Sequence, residues 1–109
     1  MSPDAKVLEV GSGCGAITGA FARKAGSVTC VDLSKKRSSI NAYRHGDCDN
    51  VTIHVGNFKD IEPDLPNDFD YICLIGVFEY GQSYMGTDKP FEKFLNIIMK
   101  HLAPGGRVV

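Results

Sequence analysis

The chain has 109 residues, of which 43% are hydrophobic and 23% charged. That length fits one small domain, since domains cluster near about 100 to 150 residues, and the composition excludes both disorder and a fibrous repeat. Twelve Lys and Arg against thirteen Asp and Glu leave a formal charge of -1, so the basic footprint of a nucleic-acid or anionic-membrane binder is missing. No run approaches the roughly 18 to 20 apolar residues of a transmembrane helix. Met1 to Lys6 lacks the apolar core of a signal peptide, and the expected location is the cytoplasm.

Lys6 to Val10 is a short apolar run that feeds straight into glycines, the pattern of a buried parallel strand ending in a tight turn. Ile17, Ala20, Phe21 and Lys24 or Ala25 then recur at helical spacing, with Gly26 placed to end that helix. Val28 to Val31, closed by Asp32, reads as a second strand; Ser34 can cap a helix over Lys35 to His45, with Gly46 beyond it. Val51 to Val55 is a third strand. Pro63 and Pro66 then disfavour a long helix, so the third crossover is expected to be mostly loop. Tyr71 to Ile75 is uniformly apolar and is expected to be a central strand, covered on both faces. Phe91, Phe94, Leu95, Ile98 and Leu102 define the clearest helix, with Thr87 or Asp88 as cap and Pro90 in its first turn. Ala103 to Gly106 ends it, and Arg107 to Val109 begins a fifth strand.

Strands alternating with helices predict an α/β fold, a doubly wound and mostly parallel sheet, with ligands bound beyond the carboxyl ends of the strands. That rim carries Glu9 to Gly15, Asp32, Asn57 and Gly76. Gly11 to Ala16 fits G-x-G-x-x-G/A, and Asp32 follows about twenty residues on, as in a dinucleotide site. Those features suit any adenosine-containing cofactor, a nicotinamide dinucleotide included. Glu9, two residues before the first glycine, separates the readings. A carboxylate there works against a pyrophosphate dianion but suits S-adenosylmethionine (SAM), which carries a sulfonium and an ammonium against one carboxylate.

Val7 to Gly15 (VLEVGSGCG) resembles the first motif of the class I SAM-dependent methyltransferases. Further segments resemble that family's motifs in the same order: Val31 to Leu33, Gly56 to Phe58, Phe69 to Gly76 and Leu102 to Val109. The resemblance spans essentially the whole chain. It implies a Rossmann-like methyltransferase core with SAM as cofactor. Glu9, Gly11 and Gly13 would line the methionine part, and Asp32 would take the ribose hydroxyls. Asn57 and Phe58 would flank adenine, with Leu33 and Phe58 sandwiching the ring and Gly76 near the methionine end. Asn57 stands where the family more often has Asp; its amide oxygen still accepts from an adenine amino group. Such domains usually continue with further strands, so the resemblance implies that residues 1–109 are one SAM-binding domain, a truncated part of a longer enzyme. The other classes compatible with these motifs are a nicotinamide-dependent oxidoreductase fragment and a non-catalytic SAM-binding module.

Methyl transfer from a sulfonium needs positioning more than acid or base catalysis. Glu79 is the one weak candidate for a base, with Tyr80, Tyr84 and Met85 as possible walls of an acceptor pocket. Lys35, Lys36 and Arg37 are read as a solvated face. Cys14, Cys30, Cys48 and Cys73 are too widely spaced for a zinc or redox motif and are read as small buried or semi-buried residues; no metal site is expected. His45, His54 and His101 are read as structural or solvent-facing. The methyl acceptor is left open, and an uncovered fifth strand is a sheet edge to which another copy can pair.

Overall fold

The computed structural model describes residues 2–75 and 89–109, apart from the side chain of Pro90. Five strands, β1 Lys6–Val10, β2 Ser27–Asp32, β3 Val51–Val55, β4 Phe69–Leu74 and β5 Leu102–Val108, form one sheet in the order β3-β2-β1-β4-β5. Every pairing in it is parallel. Two successive strands step outward from β1 on one side, and the chain then returns to the other. The topological switch therefore lies between β1 and β4, where doubly wound sheets bind their ligands.

Register brings the functional positions level. Val10 pairs with Val31 on one side and Leu74 on the other, while Asp32 pairs with Val55. The residues that follow these ends, Gly11, Leu33, Gly56 and Ile75, thus emerge on one rim.

Alternation along β1 sends side chains to two cores. Leu8 and Val10 join Val31, Phe58, Phe69, Ile72, Phe94 and Ile98 on one face, where the short helix α3 Phe58–Ile61 and the helix α4 Pro90–Lys100 pack. Val7 joins Ala5, Ala25, Val28 and Cys30 on the other, against Phe21 and Ala22 of α1 Thr18–Lys24. Helix α2 Lys35–His45 packs on β2 and β3. It begins at Ser34, whose hydroxyl accepts from the Arg37 N–H at 3.1 Å, the cap foreseen from sequence.

Strand β4 is an inner strand, paired with β1 and β5, as expected, because the connection after β3 carries the chain back across the sheet. Several elements depart from expectation for identifiable reasons. In α1 the buried face runs through Thr18, Phe21, Ala22 and Ala25, leaving Ile17 and Ala20 exposed. The helix is rotated to bring the Thr18 hydroxyl inward to a buried carboxylate. Helix α4 buries Phe94 and Ile98, whereas Phe91 and Leu95 stay exposed. Its first residue follows Lys89, which has a left-handed φ of 56° and offers no side-chain cap; Thr87 and Asp88 lie outside the described residues. The third crossover is the single turn of α3 followed by a 3₁₀ turn, Glu62–Asp64, which accommodates Pro63 near its start. Strand β5 begins earlier than expected, at Leu102. The step from Phe69 to Tyr71 on β4 faces the longer step from Leu102 to Arg107 on β5, so Ala103 to Gly106 form a bulge within the strand.

His101, at the α4–β5 junction, is buried. Its Nδ1 hydrogen-bonds the Pro66 carbonyl and its Nε2 the Glu62 carboxylate, both at 2.7 Å, which ties the 3₁₀ turn to the end of α4.

Phe58 and Phe94 meet edge to face, with ring centroids 5.7 Å apart, and both are fully buried. Replacing Phe94 by Ala is expected to lower stability by about 3–5 kcal/mol. Leu95→Ala, on the exposed flank of the same helix, is expected to change it by no more than about 0.5 kcal/mol. Urea unfolding of the two variants checks this contrast.

Candidate functional site

The glycine loop leaves β1 between the ends of its two neighbours. The Gly11 N–H donates to the Val31 carbonyl at 2.8 Å, and the Ile75 N–H donates to the Val10 carbonyl at 2.8 Å. Gly11 has a φ of +86°, and a Cβ there would lie 1.7 Å from the Ile75 carbonyl oxygen. No side chain fits. Gly13 is different: its φ is +57°, yet among the described residues a Cβ would meet nothing within 4 Å. Protein crowds Gly11, whereas no described residue crowds Gly13.

Asp32 ends β2 and is almost fully buried, with 2% of its surface exposed. Its Oδ2 accepts from the Gly13 N–H and its Oδ1 from the Ser34 N–H, each at 2.8 Å. One carboxylate thus holds both the glycine loop and the start of α2. Each oxygen keeps a second lone pair for a further donor. The Arg37 Nη2 lies 3.8 Å from Oδ1, so Arg37 belongs to the site's electrostatics and is not merely part of a solvated face. Lys35 and Lys36 are exposed, as expected.

Glu9 lies beneath the loop and is fully buried. Its Oε1 accepts from the Thr18 hydroxyl at 2.5 Å and from the Cys30 thiol at 3.5 Å, while Oε2 has no partner among the described residues. Burial pushes the carboxyl above its ordinary range, and the Thr18 and Cys30 hydrogen bonds offset part of that. The nearby thiols respond in turn. Burial, and then the Glu9 charge, push Cys30 up to about 12 and raise Cys73 as well. Both remain protonated at neutral pH and offer no nucleophile. All four cysteines are free, with Cys30 and Cys73 buried and the other two partly so, as read from sequence.

Of the residues expected on the adenine side, Leu33 stands at the rim with 38% exposure, an apolar surface beside Asp32. Asn57 caps α3, its Oδ1 accepting from the Lys59 N–H at 3.0 Å. Phe58 corrects the expectation. Its ring is wholly enclosed between the sheet and Phe94, so it has no face left to stack on a nucleobase. Directly after the capping Asn57, the first residue of α3 turns into the core. Gly76, Glu79, Tyr80, Tyr84 and Met85 lie outside the described residues.

Sequence reasoning missed Thr18 as the partner of Glu9. The available signal was a hydroxyl in the first turn of a helix whose apolar stripe is weak. A separate cavity of about 320 Å³, lined by Asp4, Asp70, Tyr71, Gly105 and Arg107 among others, lies at the amino ends of β1 and β4. That is the opposite end from the glycine loop, where open parallel sheets do not place their ligands. Among the described residues no three metal-ligating side chains converge, and no helix is long and apolar enough to cross a membrane.

The model of a family described as methyltransferase domain matches residues 8–108. The chain belongs to that family. No curated protein sequence matches this methyltransferase domain significantly. Among solved structures, it is similar to a precorrin-8w decarboxylase from Methanobacterium thermoautotrophicum. The TM-score is 0.78 at 26% identity, over 98% of this chain and 53% of that one. A complex of DhpI with SAM and HEP aligns with a TM-score of 0.69 at 28% identity, over 98% and 46% of the two chains. A SAM-dependent methyltransferase from Geobacter sulfurreducens, solved with S-adenosylhomocysteine, shares the fold with a TM-score of 0.73 at 23% identity, over 99% and 41%. The methyltransferase domain described here thus spans about half of these structures or less.

The contrast between the two glycines gives a direct test. Gly11→Ala is expected to abolish cooperative folding, whereas Gly13→Ala is expected to fold with a loss of roughly 1–2 kcal/mol for its left-handed backbone. Circular-dichroism melts of both variants distinguish them. Glu9 gives a second. The folded state holds the Glu9 proton more tightly than the unfolded chain, so this group's stabilisation is greatest in acid. It is lost as pH rises from the ordinary carboxylate range through the raised folded value. In Glu9→Gln that decline is expected to vanish, leaving the variant more stable than wild type above the window. Urea midpoints measured across pH check the sign.

Proposed function

We propose that this methyltransferase domain binds SAM across the rim formed by the glycine loop, Asp32, Leu33 and Asn57, and that the protein to which it belongs transfers the methyl group to an acceptor. The observation that carries the choice of cofactor is Glu9. A buried carboxylate, one of whose oxygens has no partner among the described residues, lies directly beneath the glycine loop. Such a group opposes a pyrophosphate and favours a ligand that brings positive charge. The relatives solved with SAM or S-adenosylhomocysteine support the same reading.

The residues present fit that cofactor. Asp32 is held at the end of β2 with a lone pair on each oxygen for the ribose hydroxyls, and its backbone partners keep the carboxylate from turning away. Leu33 supplies an apolar surface on the adenine side. Asn57, fixed by its cap, stands at the adenine edge, where Phe58 contributes backbone only. Gly11 and Gly13 let the main chain approach the methionine part, with Glu9 below it. When bound, SAM supplies an electrophilic methyl group; the protein's part is to orient it and exclude water. Glu79 is the one base proposed, and Gly76 the one further contact to the methionine end.

The near-neutral charge favours an acceptor other than nucleic acid, and the free thiols suit a reducing cytoplasm. Residues 1–109 act, on this reading, as the cofactor-binding domain of a longer enzyme.

Calorimetric titration with SAM, S-adenosylhomocysteine and NAD tests the cofactor. Binding of both sulfur nucleosides without NAD is expected; tight NAD binding with no response to either rejects the reading in favour of the oxidoreductase alternative. Asp32→Ala is expected to weaken S-adenosylhomocysteine binding by at least about tenfold, through loss of a charged hydrogen-bond acceptor.

A further inference from the structure

The glycine loop rests on α2. A Cβ at Gly15 would lie 2.3 Å from Asn41 Oδ1 and 2.9 Å from His45 Nδ1, and a Cβ at Gly19 would lie 2.8 Å from His45 Nε2. Asn41 and His45 sit one turn apart on the face of α2 that meets the loop. The His45 Nδ1–H donates to Asn41 Oδ1 at 2.9 Å, since that oxygen can only accept. Arg44, beside them, donates from Nη1 to the Cys14 carbonyl at 3.3 Å. Three side chains of one helix therefore contact the segment from Cys14 to Gly19.

Asn41 also reaches toward the interior. It is fully buried. Four buried side-chain polar atoms lack a partner among the described residues: Glu9 Oε2, Ser12 Oγ, Ser38 Oγ and Asn41 Nδ2. All four belong to the end of β1, the glycine loop and α2, the elements that meet here. Where polar groups are buried without full satisfaction, placement depends on the few contacts that are made.

We propose that Asn41, held from behind by His45, is a positioning residue of the cofactor site: it sets the seat of the glycine loop at Gly15. Gly15 is open on this side so that the Asn41 amide fits against the backbone, and His45 fixes the rotamer of that amide. Asn41 itself touches no ligand. Its effect passes through the loop that presents Gly13 to the cofactor, as a second layer of contacts holds a site in productive geometry. The cofactor part of this inference rests on the SAM reading above.

The test compares Asn41→Ala with Asn50→Ala. Asn50 donates to the Ala22 and Ala25 carbonyls at 2.8 and 3.3 Å, at the far end of α1, and holds structure without approaching the loop. Two quantities are read below the melting temperature of each variant: affinity for S-adenosylhomocysteine, and hydrogen exchange of the Gly13 and Gly15 amides. Asn41→Ala is expected to weaken binding on the order of tenfold and to speed exchange at both amides by a similar factor. Asn50→Ala is expected to lower the melting temperature while leaving both readings at their wild-type values. If Asn41→Ala does not fold, His45→Ala, which releases the Asn41 amide, carries the same expectation at about threefold. Wild-type affinity and exchange in the α2 variant, or equal losses in Asn50→Ala, overturn the proposal. Should the wild-type protein bind neither SAM nor S-adenosylhomocysteine, the cofactor reading fails, and the exchange comparison alone still decides whether Asn41 seats the loop.

Discussion

The end of β1 is stitched on both sides: the Gly11 N–H to the Val31 carbonyl on β2, and the Val10 carbonyl to the Ile75 N–H beyond β4. These two backbone bonds force the chain to leave the sheet between its neighbours, at the place where the strand order reverses. No side chain is tolerated at Gly11, because the Ile75 carbonyl already fills its space. Everything at the rim follows from that exit. Gly13 comes within reach of the Asp32 carboxylate, and Gly15 comes down on α2.

The two carboxylates of the site are held in opposite electrostatic circumstances. Asp32 is buried but answered, with a backbone N–H on each oxygen and a guanidinium nearby, so its charge is stabilised where it stands. Glu9 is buried with only neutral donors on one oxygen and no partner for the other among the described residues, and its burial resists the charge. One acid is therefore suited to fixed hydrogen bonding of neutral hydroxyls. The other is suited to a ligand that brings its own positive charge. The same burial keeps the neighbouring thiols protonated, which leaves the chemistry of this region to what binds there.

Much of this was legible in the chain. Strands β1 and β3 and helix α2 lie where apolar alternation, the Ser34 cap and the flanking glycines put them, because short-range signals decide such boundaries. The placement of Glu9, the glycines and Asp32 near one another was legible too, since parallel register aligns strand ends. Other features depended on neighbours distant in sequence. Thr18 faces inward because a carboxylate on β1 waits there, and no local pattern announces that. Phe58 looked like a stacking ring beside an adenine-binding turn, but the adjoining core needed its volume beneath Phe94. Leu95 and Phe91 fit the helical period as well as Phe94 does, yet only Phe94 and Ile98 of that stripe are fully buried in the core.

By itself the sequence determined the layer architecture, the family and the set of polar residues at the carboxyl rim, because periodicity, turn chemistry and motif order are written along the chain. Only the tertiary structure decided how those residues are buried and partnered. Burial and partners make Glu9 an enclosed carboxylate, make Asp32 the clasp of the loop, withdraw Phe58 into the core and bring Asn41 under Gly15. The physical reason is that exposure, hydrogen-bond satisfaction and charge are properties of contacts between distant segments, and those exist only once the sheet has closed around β1.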